Sequence, residues 1–200
     1  MKNNSVLSNV AIALAAFVLF TLSYKLNEYF DAFMLFASGV SLVFIPAGVK
    51  MLCLLVGGVP AIVGLFLASL YLNLVLWANL SLAASLYFAM IAVGTYAAVV
   101  YLIRRLFQIR PDLSNLNYLH IILLCVIASF SNGFGHNLVY LTQGVTAPDE
   151  LISKSTAMAF GDFLGCFLIV MLFHAGITAT RGLVARRSGG SSGGGVTGDS

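Results

Sequence analysis

The chain has 200 residues, of which 60% are hydrophobic and 8% charged, with a mean hydropathy of +0.99. A soluble domain carries about 25% charged residues, so this composition excludes a water-soluble globular protein and implies an integral membrane protein whose main solvent is lipid. Ten Lys and Arg against seven Asp and Glu leave a net charge of +3; the basic residues fall mainly at expected helix ends and build no basic domain, so a nucleic-acid partner is not expected.

A membrane span needs about 20 consecutive apolar residues. On that scale six spans fit, at about 6–24, 32–56, 59–77, 80–103, 117–141 and 152–178. The first follows Lys2 as a secretory signal would. It is nevertheless as long as a full span, and no small-residue cleavage site follows at Tyr24-Lys25-Leu26-Asn27, so it counts as a transmembrane helix. The second is interrupted by Pro46-Ala47-Gly48, because proline removes a backbone donor and disfavours helix at Ile45. Gly57-Gly58 and Pro60 mark a tight turn into the third span.

With both termini cytoplasmic, the inner side receives Lys2, Arg104, Arg105, Arg110, Arg181, Arg186 and Arg187, with Lys50 near the inner end of its span. The outer side receives only Lys25 and Lys154, beside Glu28, Asp31, Asp149 and Glu150. This asymmetry matches the excess of Lys and Arg in cytoplasmic loops. The expected fold is therefore an all-α polytopic bundle over 1–187, of about six transmembrane helices, in the cytoplasmic (inner) membrane of a bacterium. The tail 188–200 has six glycines and four serines and is expected to be disordered. Trp77, Tyr71, Tyr24 and Tyr29 read as interfacial anchors. Small residues four apart suit close helix approach: Ala11 with Ala15, Gly64 with Ala68, Ser81 with Ser85 and Ala89, and Ala157 with Gly161 and Gly165.

Polar residues inside spans carry the functional expectation, since a charge in the membrane interior is costly. Asp162 lies roughly 15 Å into the last helix, near mid-membrane. The fifth span holds Ser129, Ser131, Asn132, Gly133, Gly135, His136 and Asn137, a run polar enough to suggest a broken or widened outer half. A vestibule lined by Asn132, His136, Asn137 and Asp162 is the candidate ligand site; interhelical hydrogen bonding alone is the alternative. Lys50 is expected to snorkel to cytoplasmic headgroups. His120 and His174 lack a carboxylate at matching depth, so no metal is expected. Cys53, Cys125 and Cys166 sit in apolar runs with no pairing spacing and read as small buried hydrophobes. No HExxH, GxSxG or P-loop occurs, and Asp162 has no second carboxylate partner, so neither catalysis nor a cofactor is expected.

Two segments carry a family resemblance. One is Phe36-Ala37-Ser38-Gly39-Val40-Ser41-Leu42-Val43-Phe44-Ile45-Pro46-Ala47-Gly48-Val49-Lys50, followed by the Gly57-Gly58 turn; the other is Gly161-Asp162-Phe163-Leu164-Gly165. Their order resembles the bacterial membrane-associated sensor domains of the MASE type, which have an early Trp-Pro-Pro-Ala-Gly stretch, a glycine-marked hairpin and a late Asp-x-x-Gly. Pro46, Ala47, Gly48, Asp162 and Gly165 are the matching positions. Phe44 replaces the motif's tryptophan, Ile45 replaces one proline, and that family generally has more spans and an attached output domain. The resemblance implies a stand-alone sensory-type module that takes a small-molecule ligand and signals through a separate partner at its cytoplasmic face, with the Arg104–Asp112 loop as one docking candidate. The chain is also similar to the vitamin-binding components of energy-coupling-factor transporters, small six-helix bundles with both ends inside. A purely structural assembly protein is the third reading.

Overall fold

The computed structural model describes residues 2–37, 40–76 and 81–189. Trp77 and the tail from 190 onward lie outside the described residues, as do the side chains of Lys2, Arg181, Arg186 and Arg187. The fold is helical. Helix α1 spans Lys2–Met34, α2 Ile45–Leu76, α3 Leu82–Leu106, α4 Tyr118–Thr142 and α5 Leu151–Gly189, so α5 runs two residues past the expected start of the tail. Between α1 and α2, strand β1 (Leu35–Ala37) pairs antiparallel with β2 (Val40–Ser41). A 3-10 turn, Pro148–Glu150, leads into α5. Among the described residues, five helices are long and apolar enough to cross a membrane, as expected of a multi-pass membrane protein.

The expected second span, 32–56, is corrected. Residues 32–34 end α1, the ribbon follows, and helix resumes only at Ile45. Pro46 therefore opens a helix instead of interrupting one, a position where its missing N–H costs no hydrogen bond. The amide of Ile45 is capped from another helix: Asn27 of α1 accepts it through Oδ1 at 2.9 Å, while Asn27 Nδ2 donates to Asp31 at 2.9 Å and Ser41 Oγ at 3.4 Å. The other starts are capped locally, α3 by Ser81 and α4 by Asn117, as their residue types favour.

The expected turn at Gly57-Gly58 is present inside α2, where Gly58 adopts φ 57°, ψ −137°. Contacts with α1 show that the chain reverses there. Along α1, Ile12 meets Gly57, Lys50 lies over Phe20, and Asn27 caps Ile45, so the arm 45–57 runs antiparallel to α1. Ala13 meets Gly64 and Phe17 meets Tyr71, so the arm 59–76 runs parallel to it. Only glycine tolerates such a positive φ without strain.

Small residues set the closest approaches, though not all those expected. A Cβ on Gly64 would strike the Ala13 carbonyl, whereas Ala11 and Ala15 are exposed and do not form the packing face. Gly133 of α4 fits against the Ser155 carbonyl and Ala159 of α5. Helix α4 is continuous through Gly133 and Gly135, so the expected break is absent; these glycines let neighbours approach without interrupting the hydrogen-bond ladder. Cys125 and Cys166, which no sequence spacing paired, meet across α4 and α5 with their sulfurs 3.0 Å apart. Exposed Leu7, Leu14, Leu22, Leu67, Tyr87, Leu138 and Ile152 give the helices the apolar outer surface that lipid requires.

The α3–α4 connection is a compact turn. Asn115 accepts from the Arg110 amide at 2.8 Å and donates to the Gln108 carbonyl at 3.1 Å, with Ile109, Leu113 and Leu116 buried. The chain divides into two compact units, 1–170 and 171–200. Within the second, Thr178 and Thr180 bond back to the carbonyls of His174 and Gly176. Every site residue described below belongs to the first.

Candidate functional site

Three helices converge on Asp162. Its Oδ2 accepts Asn132 Nδ2 of α4 at 2.6 Å and the Tyr96 hydroxyl of α3 at 3.2 Å. Asp162 is 2% exposed, Asn132 4% and Tyr96 0%, so this is an interior polar network. Burying a carboxylate is unfavourable unless donors replace its water, and the side chains of two neighbouring helices supply them.

Lys50 completes the group. It is buried, not snorkelling to headgroups as expected: its Nζ lies 4.4 Å from the centroid of the Tyr96 ring and 5.6 Å from that of Phe20. The reason is the reversal at Gly58, which places the arm 45–57 against α1, α3 and α5. Lys50 and Asp162 act on each other electrostatically, yet among the described residues they form no ion pair within 4.0 Å. The Tyr96 ring mediates between them, giving its face to the ammonium and its hydroxyl to the carboxylate.

His136 lies one turn above Asn132, its ring stacked on Phe88 at 5.8 Å and 18°. Its Nδ1 is 3.1 Å from the Asn132 carbonyl. A carbonyl only accepts, so Nδ1 carries the proton and a neutral ring offers Nε2 as an acceptor.

These groups border a cavity of about 210 Å³, lined by Lys50, Ser69, Asn73, Asn132, His136 and Asp162 and walled by Phe20, Tyr24, Phe44, Phe88 and Tyr140. Ser41, Gln143 and Val145 line it at the loop end of the bundle. Three of the four expected vestibule residues thus share one cavity. Asn137 does not: it donates to the Gly133 carbonyl at 2.9 Å and to Met158 Sδ at 3.8 Å, joining α4 to α5. Lys50, Ser69, Asn73 and Tyr96 were missed as site residues. Lys50 alone carried a sequence signal, an ammonium in an apolar run; Tyr96 and Ser69 look like ordinary span residues. Tyr24, expected as an interfacial anchor, lines the cavity.

The glycine-bearing segments build the floor of this site. A Cβ on Gly161 would strike the Ser41 carbonyl, and one on Gly165 the Phe44 carbonyl. One on Gly48 would reach the Gly165 carbonyl and come within 2.6 Å of Ile169 Cβ. The Phe44 amide donates to the Gly161 carbonyl at 3.0 Å. The Pro46-Ala47-Gly48 segment and the Gly161–Gly165 segment therefore dock backbone to backbone, and the docking brings Lys50 and Asp162 to one cavity. A second, more superficial hollow lies between Gly58 and Arg104; there Arg104 donates to the Leu55 carbonyl at 3.4 Å and Arg105 to the Tyr101 hydroxyl at 3.0 Å.

Among the described residues, no three His, Cys, Asp or Glu side chains cluster to hold a metal. Comparison with known protein families, curated proteins and solved structures finds no match.

Proposed function

We propose that the chain is a ligand-binding membrane module of sensory type, which takes a small molecule into the Lys50–Asp162 cavity and passes the change to a separate partner. The observation that carries this is a buried charged network bordering an open cavity. A carboxylate held only for packing needs no cavity, and a cavity formed only by imperfect packing would be apolar and dry. Intramembrane ionisable groups facing a cavity mark ligand or ion sites as a rule. The mutual docking of the two segments that resemble the MASE-type sensor domains supports the same reading.

In this proposal the chain crosses the bacterial cytoplasmic membrane six times, the two arms of α2 counting separately, with both termini inside. Arg104, Arg105 and Arg110 then face the cytoplasm, and the cavity opens outward between the ribbon and the α4–α5 loop. The compact α3–α4 turn lies on the cytoplasmic side, where a signalling partner docks. A vitamin-binding transport component is the second reading, favoured by the metabolite-scale cavity; it predicts copurification with an ATPase module.

A thermal-stability screen of the purified protein against metabolites and vitamins tests the proposal, since a ligand that binds only the native state raises the melting temperature by mass action. The expected result is a stabilising compound whose effect Lys50→Met or Asp162→Asn changes while the variant stays folded. A screen blank for every compound, with Asp162→Asn merely less stable, overturns it in favour of a packing role.

A further inference from the structure

We infer that the cavity takes a small aromatic monocarboxylate whose carboxylate seats on Lys50 and Ser69; the inference rests on the ligand-binding reading above and names its ligand class. Two buried donors lack acceptors. Lys50, 2% exposed, forms no ion pair among the described residues; its ammonium, with three N–H donors, rests on the Tyr96 and Phe20 rings, which offer no lone pair. Ser69, 5% exposed, lines the same cavity, and its Oγ has no hydrogen-bond partner. The two residues come from opposite arms of α2, so the reversal at Gly58 is what brings them to one chamber.

The nearest carboxylate, Asp162, already accepts two donors at Oδ2 and stands beyond ion-pair distance from Lys50. A buried ammonium held only by ring faces and a carboxylate beyond ion-pair distance is short of acceptors, and an entering carboxylate supplies one in charge-assisted form. An amine would bring a second cation to Lys50 and has Asp162 as its rival seat, so benzylamine is the probe that tells the two apart. Size and walls define the rest of the ligand. A volume of about 210 Å³ lies below the range of drug-sized pockets. Phe20, Phe44 and Phe88 offer ring faces and edges to an aromatic body.

Calorimetric titration of the full chain in lipid nanodiscs with benzoate, benzamide and benzylamine tests this. Benzoate is expected to bind at least tenfold tighter than either other probe. Lys50→Met is expected to erase that preference, Lys50→Arg to keep it, and Ser69→Ala to weaken benzoate severalfold. Should Lys50→Met fail to fold, the probe ranking and Ser69→Ala decide. Benzamide or benzylamine binding as tightly as benzoate, or benzoate affinity unchanged in a folded Lys50→Met or in Ser69→Ala, refutes the carboxylate assignment and leaves a ligand-binding module with another ligand. No binding by any probe also refutes the assignment; the ligand-binding reading falls with it only if the broad metabolite screen is blank as well.

Discussion

Substituting Gly165 with alanine probes the docking that builds the site. The new Cβ would fall on the Phe44 carbonyl oxygen and 3.0 Å from the Ile45 nitrogen. Both are backbone atoms, so relief requires the 41–48 segment to move off α5. Overpacking of this kind costs about 1–3 kcal/mol. The same movement strains the 3.0 Å bond from the Phe44 amide to the Gly161 carbonyl and the 2.9 Å Asn27 cap on Ile45, each contributing about 0.5–1.5 kcal/mol. The sum is about 2–6 kcal/mol, from roughly thirtyfold to more than ten-thousandfold in the folding equilibrium. Gly94→Ala is the control: Gly94 is helical and nothing lies within 4 Å of its added Cβ, so the helix-propensity gain common to both substitutions cancels in the comparison. Reversible unfolding in mixed detergent–dodecyl sulfate micelles, followed by circular dichroism, measures both. If Gly165→Ala is as stable as Gly94→Ala to within about 0.5 kcal/mol, the segment is not seated on α5 and the cavity floor is wrong.

Three further outcomes are expected. Gly58→Ala, at φ 57° with no atom within 4 Å of the added Cβ, should cost about 1–3 kcal/mol from backbone strain alone, measured by the same unfolding assay; a neutral result would mean that α2 does not reverse there. Asp162→Ala should be less stable than Asp162→Asn by about 1–3 kcal/mol, because it strands the Asn132 amide and Tyr96 hydroxyl while asparagine keeps an acceptor; equal stabilities would show that those bonds are not made. Treatment with the thiol oxidant diamide, which takes up the two electrons and two protons released, should join Cys125 to Cys166 and leave Cys53 free. Peptide mass spectrometry reads the linkage, and a Cys53 crosslink would contradict the α4–α5 register.

The helical membrane fold was legible because lipid leaves a direct record in composition: long apolar runs separated by short polar ones. Asp162, Asn132 and His136 were legible for the converse reason, as polar groups where apolar ones belong. What stayed hidden was set by three-dimensional contacts. The role of Pro46 was misjudged because proline reads alike as the interruption of one helix and the start of another. The start at Ile45 is fixed by Asn27, 18 residues away in sequence. Lys50 was placed near the far end of its span for the same reason: with the helix starting at Ile45, Lys50 lies about one turn after that start, against Tyr96. The polar run at 129–137 overstated disruption, since within α4 its glycines serve close packing and Asn137 joins two helices.

The central claim is that the Lys50–Asp162 cavity is an outward-facing site reached by water-borne molecules. Ser69→Cys, nearly isosteric and lining that cavity, reports on it in a background without the native cysteines. The account predicts that a small membrane-impermeant anionic thiosulfonate modifies this cysteine in right-side-out vesicles and is excluded in inverted ones. A cysteine at Met90, on the lipid-facing surface, should react in neither. A Ser69→Cys protein that is folded yet unreactive from outside, or reactive only from the cytoplasmic side, would contradict it.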